Sequence, residues 1–376
     1  MSKNINLNNK ILYVFLSLTI LLGYYFGEDS AGSGGFIVDF NNTWPILSLI
    51  DRGEYFNFSE HTIHFPLHYY FLYFLNIFFE SKDNVRLIFC IISLATPYIF
   101  YLILSEKFPK IDKNKLFFFT LILFLLPSFR SGAIWANTQI TALIFFLYSL
   151  YFFIKWENKK SKKYCKEIIL QCFFLSCAVY TRQLYAIIFV YILVKYFFAL
   201  NFKDFLKTVF TIFIFAIPGF LLVLVVPSTL RTTFDLNFFN SFMVNTSIIS
   251  FYLIPLIFLI NYKKIKDLNL KKTDYLFFLI FAFMTLIATF GFNYNPSLGG
   301  GFFIKLSILI FNNLYFFFFT SFIGLISIYL FSREDKLSLI LFFLLIFGFS
   351  SYQIFQKYFE PMLIILIFLI IKNNQN

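Results

Sequence analysis

The only three histidines of the chain stand together in EHTIHFPLH, as His61, His64 and His68 with Glu60 beside them. Imidazoles spaced HxxHxxxH next to a carboxylate are ligands of the type a divalent metal takes, with His64 and His68 on one face of a helix. Residues of this kind also line helices at the headgroup level of a membrane. Upstream, Asp29 and Asp39 bracket SAGSGG, where Gly32, Gly34 and Gly35 let backbone approach a ligand closely. Asp39 alternatively caps a helix beginning in FNNTWPILSLI. Further along, single basic residues stand in apolar or glycine-rich surroundings: Arg130 in SFRSG, Arg182 in CAVYTRQLYAIIF, Lys305 in NPSLGGGFFIK and Lys357 in QKYFEP. An isolated cation in such a place suits an anionic ligand, or snorkels to lipid headgroups. The stretch Asn295 to Gly301 reads either as a nest of backbone amides for phosphate or as a flexible turn.

The elements that position these residues are membrane helices. With 60% hydrophobic, 24% aromatic and 13% charged residues among 376, and a mean hydropathy of +0.78, the apolar surface exceeds what one water-soluble core can bury. Phenylalanine alone accounts for 62 positions, a bias that fits an AT-rich genome and carries no function by itself. Cys90, Cys165, Cys172 and Cys177 fall in apolar segments or a lysine-rich loop, and indicate neither a disulfide framework nor a thiolate metal site. The formal charge of +12 is placed as a topology signal, which argues against nucleic acid as a partner.

Apolar segments near 11–26, 85–104, 116–127, 133–154, 168–181, 184–199, 206–226, 248–262, 275–291, 308–331, 337–349 and 361–371 predict an all-α polytopic protein with about twelve transmembrane helices. One further run, FPLHYYFLYFLNIFF, reaches only about 23 Å as a helix and is read as a juxtamembrane helix. Counting it as a span would put KWENKKSKKYCK and NYKKIKDLNLKK outside, against the positive-inside rule. With it outside the bilayer core, 23 of the 31 lysines and arginines face the cytoplasm and both termini lie inside. Residues 27–84 form the first outward loop, and residues 1–376 a single transmembrane domain without a separate soluble one. A signal peptide cleaved at SAGSGG is the alternative for segment 11–26, disfavoured by Glu28 and Asp29 crowding the site.

Every unusual polar residue then falls on the outer side, and their order resembles the GT-C glycosyltransferases that use polyprenyl-phosphate sugars, in particular the aminoarabinose transferases of lipid A and the protein O-mannosyltransferases. That family has an aspartate after the first span, then an SG-D-W-like turn, then KPPLxYW opening a juxtamembrane helix, and late in the chain RYxxP. Asp39, DRGEYF around Gly53, HFPLHYY from His64 to Tyr70, and KYFEP from Lys357 to Pro361 follow the same order. TRQ, Thr181 to Gln183, sits where relatives keep a basic residue. Departures are Phe40 in place of the second acidic residue, His64 in place of the KPPL lysine, and Asn137 where an aspartate is often found.

The resemblance implies that Asp39, with Asp29 as runner-up, is the general base that deprotonates an acceptor hydroxyl as it attacks the anomeric carbon with inversion. Arg182 and Lys357 would hold the carrier phosphate, with His64, Tyr358, Arg130 and Lys305 as further substrate contacts. An oxocarbenium-like transition state fits a carboxylate on one side and positive charge at the leaving phosphate on the other. The expected protein is a transferase of the cell envelope, in the bacterial inner membrane with its site facing outward. Its donor is a polyprenyl-phosphate-linked sugar and its acceptor a glycan, a lipid or a protein. No cofactor is required by this reading, a divalent metal remaining an option through the histidines. The rival classes are a flippase or transporter of lipid-linked sugars and a polysaccharide polymerase.

Overall fold

The computed structural model describes residues 5–30, 35–54, 62, 64–225, 237–266, 270–333, 336–349 and 353–370. Among them every regular element is helical, and they divide into two compact units, one within residues 1–232 and one within 233–370. Seven helices are long and apolar enough to cross a membrane, or eight if a bent pair is one span. Each of the twelve expected segments contains a helix, but the others fall below the length or hydropathy that a span needs.

In the first unit, α1 (Leu7–Tyr25) starts at Asn6, whose side chain accepts the Asn9 amide at 2.9 Å. The segment expected as the first outward loop contains helices: α2 (Gly35–Thr43), α3 (Ile46–Asp51) and α4 (Leu67–Phe79). Thirteen residues make α4 about 20 Å long, short of a hydrocarbon core. It buries His68, Tyr69, Leu72 and Leu75 and leaves Tyr70, Phe74, Ile77 and Phe78 outward, 40 to 64% exposed. Glu80, left-handed at φ 53°, ends α4, and Ser81 caps α5 (Lys82–Ser93), which α6 (Thr96–Lys107) continues as one span.

The next span bends by 68° where α7 (Lys113–Thr120) and a 3₁₀ turn, Leu121–Leu125, give way to α8 (Pro127–Ile134). Pro127 opens α8 because its fixed φ suits a first helical turn and its missing N–H costs nothing there. The central helix is α9 (Thr138–Glu157), capped by Asn137 and buried on most sides against α6 and α10 (Lys166–Val179). The turn at Thr181–Tyr185 leads to α11 (Ala186–Ala199), and α12 (Phe202–Val225) follows with Pro218 inside it.

The second unit holds α13 (Phe238–Lys266), α14 (Lys272–Gly291), α15 (Gly301–Phe311), α16 (Tyr315–Ser332), α17 (Lys336–Gly348) and α18 (Glu360–Ile370). Small residues bring α13 and α16 together: a Cβ on Gly324 would lie 2.8 Å from the Thr246 carbonyl oxygen, and the Ser321 hydroxyl donates to the Met243 carbonyl at 2.9 Å. The expected segment 308–331 is divided. Asn312, left-handed at φ 51°, ends α15, and α16 begins three residues later.

Candidate functional site

Asp29 and Asp39 both serve α2, the first from ahead of the helix and the second from within it. One Asp29 carboxylate oxygen accepts the amides of Phe36 at 2.8 Å and Ile37 at 3.2 Å, satisfying first-turn donors and placing negative charge at the positive end of the helix dipole. Asp39 lies at the fifth position of α2 and is exposed. It therefore does not cap a helix: the helix starts four residues earlier, and the capping carboxylate is Asp29. Phe36 and Phe40, one turn apart, are buried and anchor α2, with Phe40 6.2 Å from the Trp135 ring. The exposed Asp39 is thus carried on an anchored helix, to one side of its buried Phe36–Phe40 stripe.

The start of α4 meets the turn after α10. The His64 Nδ1 is 3.4 Å from Gln183 Oε1, the Leu67 amide donates to the Tyr180 carbonyl at 3.3 Å, and the Phe65 and Tyr180 rings meet edge-on at 6.1 Å. Tyr69, 1% exposed, shares a hydrogen bond of 2.6 Å with Thr62 Oγ1. Burial raises the pKa of the Tyr69 hydroxyl; the Thr62 bond and the positive charge of Arg182 pull it down, and the negative charge of Asp39 raises it further. Arg182, itself 8% exposed, and Asp39 thus act on one phenol, with His64 tied to the neighbour of Arg182. His64 and Arg182, both selected from sequence, thus stand at one junction, and Asp39 is felt there only through its charge on Tyr69. Thr62, Tyr69 and Gln183 were not selected, and Tyr69 was legible only as one aromatic in an aromatic run.

The two described histidines, His64 and His68, take separate partners. His68 is 2% exposed, its Nδ1 stands 2.8 Å from Thr141 Oγ1, and its ring also bonds the backbone of Ala136. Burial lowers its pKa to about 3, so the imidazole is neutral. Among the described residues no group of three His, Cys, Asp or Glu side chains can hold a metal ion; His61 lies outside them.

Arg130, expected as a substrate contact, is engaged within the protein. Its Nε and Nη2 donate to the two Glu28 carboxylate oxygens at 2.8 and 2.6 Å, and Thr19 takes two more of its N–H groups at 3.0 and 3.2 Å. That bidentate bond, with the arginine charge and Ser30, holds the Glu28 carboxyl below the usual range against the opposing effect of burial. Beside it the Arg86 guanidinium lies between the rings of Tyr24 and Trp135, 4.5 and 4.2 Å from their centroids. Lys82 donates to Asn41 Oδ1 at 2.6 Å and covers the Phe40 ring at 5.1 Å. Arg130, Arg86 and Lys82, cations expected on the outer side, thus have carboxylate, amide and aromatic partners within the protein.

In the second unit Lys357 and Tyr358 lie in a 3₁₀ turn, Gln356–Tyr358, ahead of α18. The Gln356 side chain donates to Tyr252 Oη and accepts the Phe302 amide, both at 2.9 Å. The Lys357 ammonium lies 5.3 Å from the Phe355 ring centroid, and the Tyr358 ring packs on Phe349 at 5.7 Å. Gly299, Gly300 and Gly301 all have positive φ, as the reversal into α15 demands. Of the two readings of Asn295 to Gly301 the structure shows a turn, with two of its amides bonded internally: the Gly299 amide donates to the Pro296 carbonyl at 3.3 Å and that of Gly300 to the Ile354 carbonyl at 2.8 Å. Lys305 is exposed on α15.

Comparison of the chain with protein-family models, with curated proteins and with solved structures finds no match in any of the three.

Proposed function

We propose that this protein is an inverting glycosyltransferase that moves a sugar from a polyprenyl-phosphate carrier to a glycan, lipid or protein acceptor at the outer face of a membrane crossed about twelve times. The observation that carries the reading is the junction of the start of α4 with the turn after α10, where His64 stands 3.4 Å from Gln183 beside the buried Arg182, with the charges of Arg182 and Asp39 both felt at the Tyr69 hydroxyl. Inverting transfer needs opposite charges near one another, a base at the attacking hydroxyl and a cation at the departing phosphate. Asp39 removes the acceptor proton as the new glycosidic bond forms at the anomeric carbon. The bond to the carrier phosphate breaks on the opposite face, and Arg182 stabilises the charge that the phosphate gains. Asp29 serves this arrangement by holding the first turn of α2.

The test is transfer in proteoliposomes from labelled polyprenyl-phosphate sugars to added acceptors, by wild type and by Asp39→Asn. Labelled product from the wild type alone supports the reading. A second reading, transport of a lipid-linked sugar, is favoured by one observation, the 68° break between Leu125 and Pro127, since broken spans often line transport paths. Movement of labelled donor across the bilayer without its consumption would replace the first reading with this one.

A further inference from the structure

Pro218 stands inside α12, where its ring removes an N–H and leaves the Ile214 carbonyl without its usual donor. The next rung is modified from outside. The Tyr180 hydroxyl donates to the Phe215 carbonyl and accepts the Gly219 amide, the latter at 3.2 Å. Phe215 and Gly219 are the pair that an α-helix joins directly, and here a phenol from another segment bonds both members. Only glycine admits that ring: a Cβ at residue 219 would lie 2.6 Å from Tyr180 Cε1.

Tyr180 also holds two other segments. Its carbonyl accepts the Leu67 amide at 3.3 Å and its ring meets Phe65, which fixes the stretch directly after His64. Two residues further on is Arg182, whose amide donates to the Ala178 carbonyl at 2.8 Å, so that the turn springs from the same end of α10. We infer that Tyr180 is a positioning residue for the candidate site: its hydroxyl, lodged in the α12 ladder, sets where the Arg182 turn and the His64 segment stand. The α12 side of this contact supplies a fixed seat that neither segment has by itself.

Hydrogen–deuterium exchange on the protein in lipid nanodiscs tests this without reference to catalysis. Tyr180→Phe removes the hydroxyl and keeps the ring; Gly219→Ala keeps the hydroxyl and pushes the ring away. Amides of residues 64–67 and 181–185 should exchange at least about tenfold faster in both variants, with α9 unchanged. Unchanged exchange in those two segments in Tyr180→Phe, or a change confined to α12, overturns the inference, and Tyr180→Phe decides should Gly219→Ala not insert. A second arm rests on the glycosyltransferase reading: the donor KM should rise about tenfold in Tyr180→Phe with kcat within about twofold. Faster exchange with an unaltered KM would overturn the positioning role. Faster exchange in a protein whose wild type transfers no sugar would sink the transferase reading and leave the placement of the two segments standing.

Discussion

Arg130 and Glu28 offer a measurement whose size follows from geometry. Arg130→Met removes two charge-assisted hydrogen bonds of 2.8 and 2.6 Å and leaves the half-buried Glu28 carboxylate with the Ser30 hydroxyl at 3.0 Å. Breaking a fully buried ion pair from one side costs about 3–5 kcal/mol. The two side chains here are 19 and 26% exposed, and water reaching them lowers the expected cost to about 2–3 kcal/mol. At about 0.8 kcal/mol per degree for a chain of 376 residues, the melting temperature should fall by roughly 2.5–4 °C. Glu28→Gln alone should cost less, and a double-mutant cycle should return a coupling of about 2 kcal/mol. The pH dependence has a defined sign. Because Arg130 holds the folded Glu28 carboxyl below its unfolded value, the pair contributes fully above about pH 5 and is lost as the pH falls through the lowered folded pKa. In Arg130→Met that acid loss should vanish, since burial alone raises the carboxyl pKa. Thermal melts between pH 4 and 7, read beside donor KM, are the assay. A coupling below about 0.5 kcal/mol together with a raised donor KM would refute the reasoning and return Arg130 to the substrate.

Asp39→Asn keeps shape and removes basicity, so turnover should fall by about 10² or more with donor binding little changed, whereas Asp29→Asn keeps an acceptor for the α2 amides and should be milder. Kinetics with the opposite ranking would move the base to Asp29. A reporter active only outside the cytoplasm should work when fused after Lys82 and fail after Lys160; a cytoplasmic readout at Lys82 would make α4 a span. His68 is neutral when folded, with its pKa lowered to about 3, so acid favours the unfolded chain: stability should decline as pH drops below about 6.5, by up to about 1.4 kcal/mol per unit, and His68→Phe should lose that slope. Parallel pH profiles for the two proteins would contradict the burial of a neutral imidazole.

Hydropathy was enough to locate the helices, since each of the twelve apolar runs contains one. It was not enough to fix their ends, because those are set by residues that act locally. Pro127 and the extended Leu126 bend one span, and Asn312 divides another. The helices α2 and α3 were missed for a related reason: GFIVDFNNT carries too few apolar residues to stand out, and its helix depends on Asp29 reaching forward to Phe36 and on Phe40 meeting Trp135. His64 and Arg182 were expected only to share one face, and their junction runs through Gln183, 119 positions from His64. Pairings such as Arg130 with Glu28 leave no local mark at all, which is why a charge that looked available for a ligand proved to have a carboxylate of its own.

The two faces of α4 belong to one stiff cylinder. Tyr69 and His68 look inward, and Tyr70, Phe74, Ile77 and Phe78 look out. In a membrane the outward four would rest among lipid headgroups and the first methylenes, where amphipathic aromatic rings settle. Anything that lifts, sinks or rolls that face, such as bilayer thickness or lateral pressure, then turns Tyr69 and His68 by the same angle. On the proposed reading, the surrounding lipid would thereby become a setting on the candidate site, and membranes of different composition would tune one sequence to different geometries without altering a residue.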